Sequence, residues 1–414
     1  MGFYAFVFLE PEWNWRWSIP RDLGFQKYIA VCVMIGFLLQ AMRGNRFAGW
    51  FGYSVGALLS FLGLACVAAQ FTINEYFTDF YLTTIAKVIV MAVITCKLVD
   101  TPKKAYMLLW LIVIGQGYNA FRINEQYFLD GYSLYAFRPW GWKGDNNLYS
   151  IFTVPAIAGS FALAVTSRVN WQRFLAATIL VLQMHQMMLM ESRGCMIGCI
   201  ALFVFGLFMM PKNGYTIRLT VVAALAIAAL AGPPVVKEFM SAFSPEGRRD
   251  SSAASRFKIW KAGYEITMDY PLLGVGPYAG QVLVPKYVPE YSHKKAKGLH
   301  NLLFEISTGC GIPAAICYFA FLLIPWYVAM RFYWNCRDGL EVETESCILA
   351  LCVGVPGYLC SSMFSSGALL ESSYVLVACG ASAMCAINRN ARTVDVGEAT
   401  AGAAYAAPSH ATPA

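Results

Sequence analysis

Three residues of this chain are of the types that handle phosphate and protons. Arg193 stands in the short turn Glu191-Ser192-Arg193-Gly194. Arg256 lies at the start of an amphipathic stretch, and His300 lies where a long polar segment gives way to a new apolar run. The planar fork of arginine makes two charge-assisted hydrogen bonds and never deprotonates, so it suits phosphate. Histidine titrates near neutral pH and can take a proton from an attacking hydroxyl. Two arginines at one membrane edge could hold a pyrophosphate; with an acceptor hydroxyl and a base, that is a constellation for glycosyl transfer. Each residue also has a plainer reading. Arg193 could snorkel to the interface, Arg256 could be an ordinary interfacial cation, and His300 could be a hydrogen-bonding residue at a helix start. The common factor is that all three face the same compartment. Asp145 and Asn146, followed by Asn147, lie where another loop re-enters the apolar part, and they are equally N-cap candidates for Leu148–Ser167. Asn301 and Glu305 follow His300 and are candidates to orient it or the acceptor, although Glu305 is not on the same helical face. No pair of carboxylates has an obvious metal geometry, so neither a metal nor a cofactor is required.

The segment that carries two of these residues runs from Val236 to His300 and holds ten Lys/Arg against six Asp/Glu. An excess of cation in an exposed loop points to an anionic partner. It opens with the charged turn Ser244–Asp250. Phe257, Trp260, Tyr264 and Met268 then recur at helical spacing on one face, with Lys258, Lys261 and Glu265 largely off it. Ser251 or Ser252 could cap this helix, Pro271 ends it, and Gly274-Val275-Gly276-Pro277 must turn. Two compatible readings follow: a helix at the membrane interface, or a helix packed on the chain's own membrane domain.

The elements that position these residues are membrane helices. Of 414 residues, 58% are hydrophobic and 13% charged, where soluble domains carry about 25% charged residues. Apolar runs without alternation exclude a strand barrel. The expected fold class is all-α: a polytopic helical membrane protein with about eleven or twelve spans. They fall at about Lys27–Met42, Trp50–Phe71, Phe80–Leu98, Tyr106–Ala120, Leu148–Ser167, Phe174–Met190, Cys195–Met210, Leu219–Val235, Asn301–Met330, Cys347–Ser362 and Ala368–Ile387. Asn301–Met330 exceeds what one span needs and is expected to tilt or to bend at Pro313. Met1–Leu9 is too short to span upright, and the choice between part of a first helix and an interfacial segment stays open. The net charge of +7 is modest and spread over loops, so nucleic acid is not an expected partner. Nearly all thirteen cysteines lie in apolar runs and none lies in Val236–His300, which excludes a disulfide-stapled external domain. Cys195 and Cys199 lack companion ligands and read as small buried residues.

Alternate short connections carry Arg43 and Arg46, Lys103 and Lys104, Arg168 and Arg173, Lys212 and Arg218, Arg331 and Arg337, and Arg389 and Arg392. Thr72–Asp79 and Ser365–Gly367 carry none. The first set is expected on the cytoplasmic side with the C-terminus. The connections 121–147, 191–194 and 236–300 are then external. The membrane domain is expected over 1–391, including the 236–300 loop, with a disordered cytoplasmic tail over 392–414 that contains His410.

Three stretches resemble one family. SRGCMIGCIALFVFGLFMM is similar to the Ser-Arg-Gly helix start of the O-antigen ligase and polysaccharide polymerase superfamily. SRFKIWKAGYEITMDYPLLGVGPYAG resembles its Arg, Trp, Asp-x-Pro-Leu-x-Gly-x-Gly segment, and LHNLLFEISTGCGIPAA its His-Asn, Glu and Gly-x-Gly continuation. Their order matches over about Glu191 to Ala315. GDNNLYSIFTVPAI, from Gly144 to Ile157, also resembles a subgroup of O-glycosylation ligases associated with exosortases. The resemblance implies a bacterial inner-membrane transferase, acting at the periplasmic face on glycan linked to undecaprenyl pyrophosphate. It implies pyrophosphate binding by Arg193 and Arg256 and action on the acceptor by His300. The acceptor, be it lipid A core, protein Ser/Thr or another glycan, stays open, because the loop has no extra folded domain. Membrane lipids are the remaining expected partner. A chain polymerase of the same superfamily, a lipid-glycan flippase and a scaffold without chemistry are the alternatives. A flippase should show inverted repeats. No repeat is present, although Lys87, His185, Glu305 and Glu371 are ionisable residues within apolar runs.

Overall fold

The computed structural model describes residues 1–19, 24–139, 145–230 and 251–387. The turn Ser244–Asp250, Gly144, Arg389, Arg392 and the 392–414 tail lie outside the described residues. Every described regular element is helical.

Each expected span coincides with a helix. They are α3 (Phe25–Leu39), α4 (Gly49–Ala69), α5 (Glu75–Leu98), α6 (Pro102–Asp130), α8 (Asn146–Thr166), α9 (Asn170–Leu189), α10 (Arg193–Met209), α11 (Gly214–Leu230), α14 (Leu302–Cys336), α15 (Val342–Ser362) and α16 (Glu371–Ile387). The remaining helices are α1 (Gly2–Leu9), α2 (Pro11–Asn14), α7 (Leu134–Phe137), α12 (Ser251–Asp269) and α13 (Val284–Tyr287). Five of them, α4, α5, α8, α14 and α15, are long and apolar enough to cross a membrane by length and composition. α3, α10, α16 and the Gly214–Ala226 part of α11 are shorter apolar helices. In α6 and α9 buried polar residues interrupt the apolar runs: Gln116, Asn119 and Asn124 on one, Gln183, His185 and Gln186 on the other.

These polar groups pair with one another, as groups away from water must. Ser160 on α8 donates to Gln183 Oε1 at 2.8 Å, and Thr153 to Gln116 Oε1 at 3.3 Å. Asn124 donates to the Leu182 carbonyl, and its side-chain oxygen meets His185 Nδ1. His185 is thereby a structural residue, edged by the Tyr127 and Phe128 rings. The centre of the bundle is α8 and α15, whose apolar windows are 89% and 83% buried, against 39% for α4. The N-terminal segment left open by the sequence is the short helix α1, with Phe3, Tyr4, Val7 and Phe8 buried in the core beside α6.

α14 is bent as expected, but the break is at Gly311 (φ 86°, ψ 170°), two residues before Pro313. Proline has no N–H to give the carbonyl four residues back, so the Gly309 carbonyl is freed and accepts the Gly276 N–H at 3.0 Å. The Ile312 N–H turns to the Pro271 carbonyl at 2.8 Å, and the Thr308 carbonyl accepts the Val275 N–H at 2.9 Å. A Cβ on Gly311 would lie 2.1 Å from the Leu272 carbonyl oxygen, so only glycine fits. The Pro271–Pro277 loop is thus stapled into the helix break. On its other side the Ile73 N–H donates to the Val275 carbonyl at 3.0 Å and Thr78 Oγ1 to the Pro277 carbonyl at 3.1 Å.

Candidate active site

The site forms at the end of the bundle where the connections 72–78, 145–147, 190–193, 271–301 and 363–367 come together. Ser192 precedes α10, which starts at Arg193 itself, and Glu191 takes a left-handed conformation (φ 51°) that makes the turn tight. The turn is fastened to the start of α8. Asn146 Nδ2 donates to the Met190 carbonyl at 2.8 Å, and Ser192 Oγ donates to Asn147 Oδ1 at 2.8 Å. Asp145 is the N-cap of α8, its carboxylate accepting the Asn147 and Leu148 N–H groups. Asp145 therefore has the capping role that sequence also allowed, while Asn146 is the first helical residue and clamps the Met190 carbonyl.

Phe364 is the hub. A Cβ on Gly194 would lie 2.4 Å from Phe364 Cβ, so the Arg193 turn presses directly on this residue. The Trp260 ring lies 5.5 Å from the Phe364 ring, four residues after Arg256 on α12. Asn301 caps α14, accepting the Leu303 and Phe304 N–H groups, and donates to the Met363 carbonyl at 3.0 Å. One short connection between α15 and α16 thus ties together the neighbours of Arg193, Arg256 and His300. Arg256 also lies within electrostatic reach of both Cys195, two residues beyond Arg193, and His300. Arg193 and Arg256 are both half-buried.

His300 adopts a left-handed backbone (φ 49°) just before α14. Its ring folds back over Gly298, where a Cβ would come within 3.2 Å of Nε2. The residue is exposed at its edge, yet enough protein surrounds it that desolvation lowers its pKa. Lys297 and Arg256 lower it further, and Asp145 partly opposes them. A neutral imidazole at neutral pH is the form that accepts a proton. Glu305 is not part of this rim. It turns into the bundle, 3% exposed, with neither carboxyl oxygen hydrogen-bonded, among Tyr81, Tyr278 and Ser366. Among the described residues no group of three or more His, Cys, Asp or Glu could hold a metal.

α12 serves both readings made of its sequence. Ile259, Ala262 and Ile266 are buried in a small core with Val275, Ala279 and Leu283 of the following loop. Its aromatic face is largely exposed, with Phe257 at 58% and Tyr264 at 55%. Below it, Tyr264 and Met268 join Leu303, Phe304, Ile316 and Leu323 of α14 around an apolar groove of about 580 Å³.

Sequence reasoning missed Phe364 and Lys297. Met363 to Gly367 has no periodicity or charge to draw notice. Lys297 was hidden in a lysine-rich run, where only its spacing of three from His300 could have marked it.

The half-buried Arg193 and Arg256 and the exposed His300 thus lie around one short connection at an end of the helical bundle. Residues 176–319 match the family model described as O-antigen ligase, about a third of the chain. The matched region spans α10, α12, the stapled loop, His300 and the first half of α14. This part of the chain is therefore similar to the O-antigen ligase family. No curated protein matches the chain significantly.

Proposed function

We propose that the protein transfers a glycan from an undecaprenyl-pyrophosphate carrier to a hydroxyl acceptor at the periplasmic face. Arg193 and Arg256 bind the pyrophosphate, and His300 is the general base. The observation that carries this reading is the convergence on Phe364: the Arg193 turn through Gly194, the Arg256 helix through Trp260, and the His300 junction through Asn301 and Met363. Asp145, Asn146 and Asn301 hold the backbone around the substrate. The apolar groove supports a lipid-linked donor. It runs along α14 from Leu303, three residues after His300, past the break at Gly311 to Leu323.

In the reaction the acceptor oxygen bonds to the anomeric carbon, and the bond from that carbon to the phosphate oxygen breaks. The acceptor proton passes to the imidazole of His300, and the electron pair leaves with the carrier pyrophosphate. Ligase action is preferred to chain polymerisation because the matched family model is described as a ligase. Purified protein in lipid nanodiscs should release carrier pyrophosphate and place glycan on an acceptor. Glycan movement across a vesicle bilayer without cleavage would instead mean a transporter and would end this reading.

A further inference from the structure

The charge on the substrate changes during the transfer just described, and the arginine pair matches only its starting value. A pyrophosphate esterified at both ends carries two negative charges. Once the glycosyl bond breaks, the departing carrier pyrophosphate gains a third, on the oxygen that bridged to the sugar. Stabilisation that grows as this charge develops raises the rate, whereas equal stabilisation of substrate and transition state does not.

Lys297 is placed to meet that third charge. It is half-buried, and its backbone N–H donates to the Gln281 carbonyl at 2.9 Å, which fixes its position at the edge of the small loop core. Its ammonium lies 5.4 Å from the centroid of the Tyr291 ring, which also carries the exposed Lys294 at 5.5 Å. Other lysines of this segment are spent on carboxylates: Lys258 pairs with Glu290 and Lys261 with Glu265. Among the described residues no carboxylate pairs with Lys297. Gly298 follows it and lies directly under the His300 imidazole. Lys297 and His300 therefore lie three positions apart on either side of Gly298, and the Lys297 charge acts on the imidazole. A flexible ammonium reorients toward a moving charge more readily than a guanidinium fork, which suits arginine to the ground state and lysine to the departing oxygen.

We propose that Lys297 is a third phosphate-binding residue that contacts the departing phosphate oxygen and favours the transition state over the bound donor. The inference rests on the proposed glycosyl transfer. The test uses the full-length protein in nanodiscs and two probes: farnesyl pyrophosphate, which carries the third charge, and a farnesyl-pyrophosphoryl monosaccharide, which does not. Lys297→Met is expected to weaken the first by about tenfold or more and the second by less than about threefold, with an unchanged melting temperature. Lys297→Arg should recover part of the loss. In turnover, Lys297→Met should lower kcat with little change in the donor KM. Equal weakening of both probes would make Lys297 an ordinary ground-state contact and overturn the proposal. If neither probe is weakened while Arg193→Ala abolishes binding of both, Lys297 is excluded and the arginine site stands. Failure of the unaltered protein to bind either probe would remove the site reading and the proposal together.

Discussion

The rings of Trp260 and Phe364 meet at a centroid distance of 5.5 Å and an angle of 60°. Across this contact the loop helix α12 rests on the connection that also seats Gly194 and Asn301. Disturbing Phe364 should therefore act on three candidate residues at once. Phe364→Ala is expected to lower turnover by about tenfold or more through misplacement alone, while a Phe364→Tyr variant stays near normal. Kinetics on both variants, with melting temperatures as a control, will check this.

Gly194→Ala tests the same hub from the other side. The added methyl would stand 2.4 Å from Phe364 Cβ, so backbone must shift. Overpacking of this kind costs about 1–3 kcal/mol. The expected outcome is a lower melting temperature together with loss of donor binding, because Arg193 moves with the turn. Normal donor affinity in a destabilised variant would separate Gly194 from the site.

Arg193 and Arg256 are expected to be needed individually. Alanine at either position should cost a few kcal/mol of donor binding or transition-state stabilisation. Lysine should restore only part, since the two-pronged contact is lost. Titration of a prenyl pyrophosphate against each variant reads this directly; full rescue by lysine at both positions would argue against bidentate binding.

His300 should govern the acid limb of the pH–rate profile. Desolvation, Lys297 and Arg256 hold its pKa below the ordinary value, and Asp145 pulls it back up. That ordinary value is about 6.5, so the limb should lie below it. Asp145→Asn should move the limb further down, and Lys297→Met should move it up. The same sign applies to stability. The folded state binds this proton less readily than the unfolded chain, so the contribution is present above about pH 6.5 and lost as pH falls through the folded value. His300→Ala should keep donor binding and lose about 10²-fold or more in rate.

Orientation is open to chemical labelling. A cysteine at Ser292, which is exposed, should react with an impermeant thiol reagent added from the periplasmic side. Reaction from the cytoplasmic side alone would invert the assignment and the site with it.

Much of this architecture was legible because hydropathy alone decides which segments avoid water. All eleven expected spans coincide with helices, and α12 ends before Pro271 as its proline demands. The candidate arginines and histidine were legible from residue type and from their place at the edges of apolar runs. What stayed hidden depends on contacts between distant parts of the chain. Phe364 is important only because Gly194 and Trp260 arrive beside it. Gly311, not Pro313, breaks α14, since the carbonyls freed near the proline are claimed by a loop some 35 positions earlier in the chain. Glu305 lies five residues from His300, yet the turn at His300 and the start of α14 send it inward.

The loop held in that helix break also bears on how such a chain can diversify. Pro271–Pro277 exchanges backbone hydrogen bonds with α14 and with the 72–78 connection. A residue added there would slip every bond in the set. The stretch Ser292–Lys295 is exposed along its whole length, and its backbone bonds, Ser292 N–H to the Pro289 carbonyl at 3.1 Å and Lys294 N–H to the Tyr291 carbonyl at 2.8 Å, stay within the local turn. Length changes, extra sugar-recognition segments or an engineered tag should therefore be tolerated at 292–295 and rejected at 271–277. New binding preferences would be acquired by growth at the first place, with the candidate site left in register by the second.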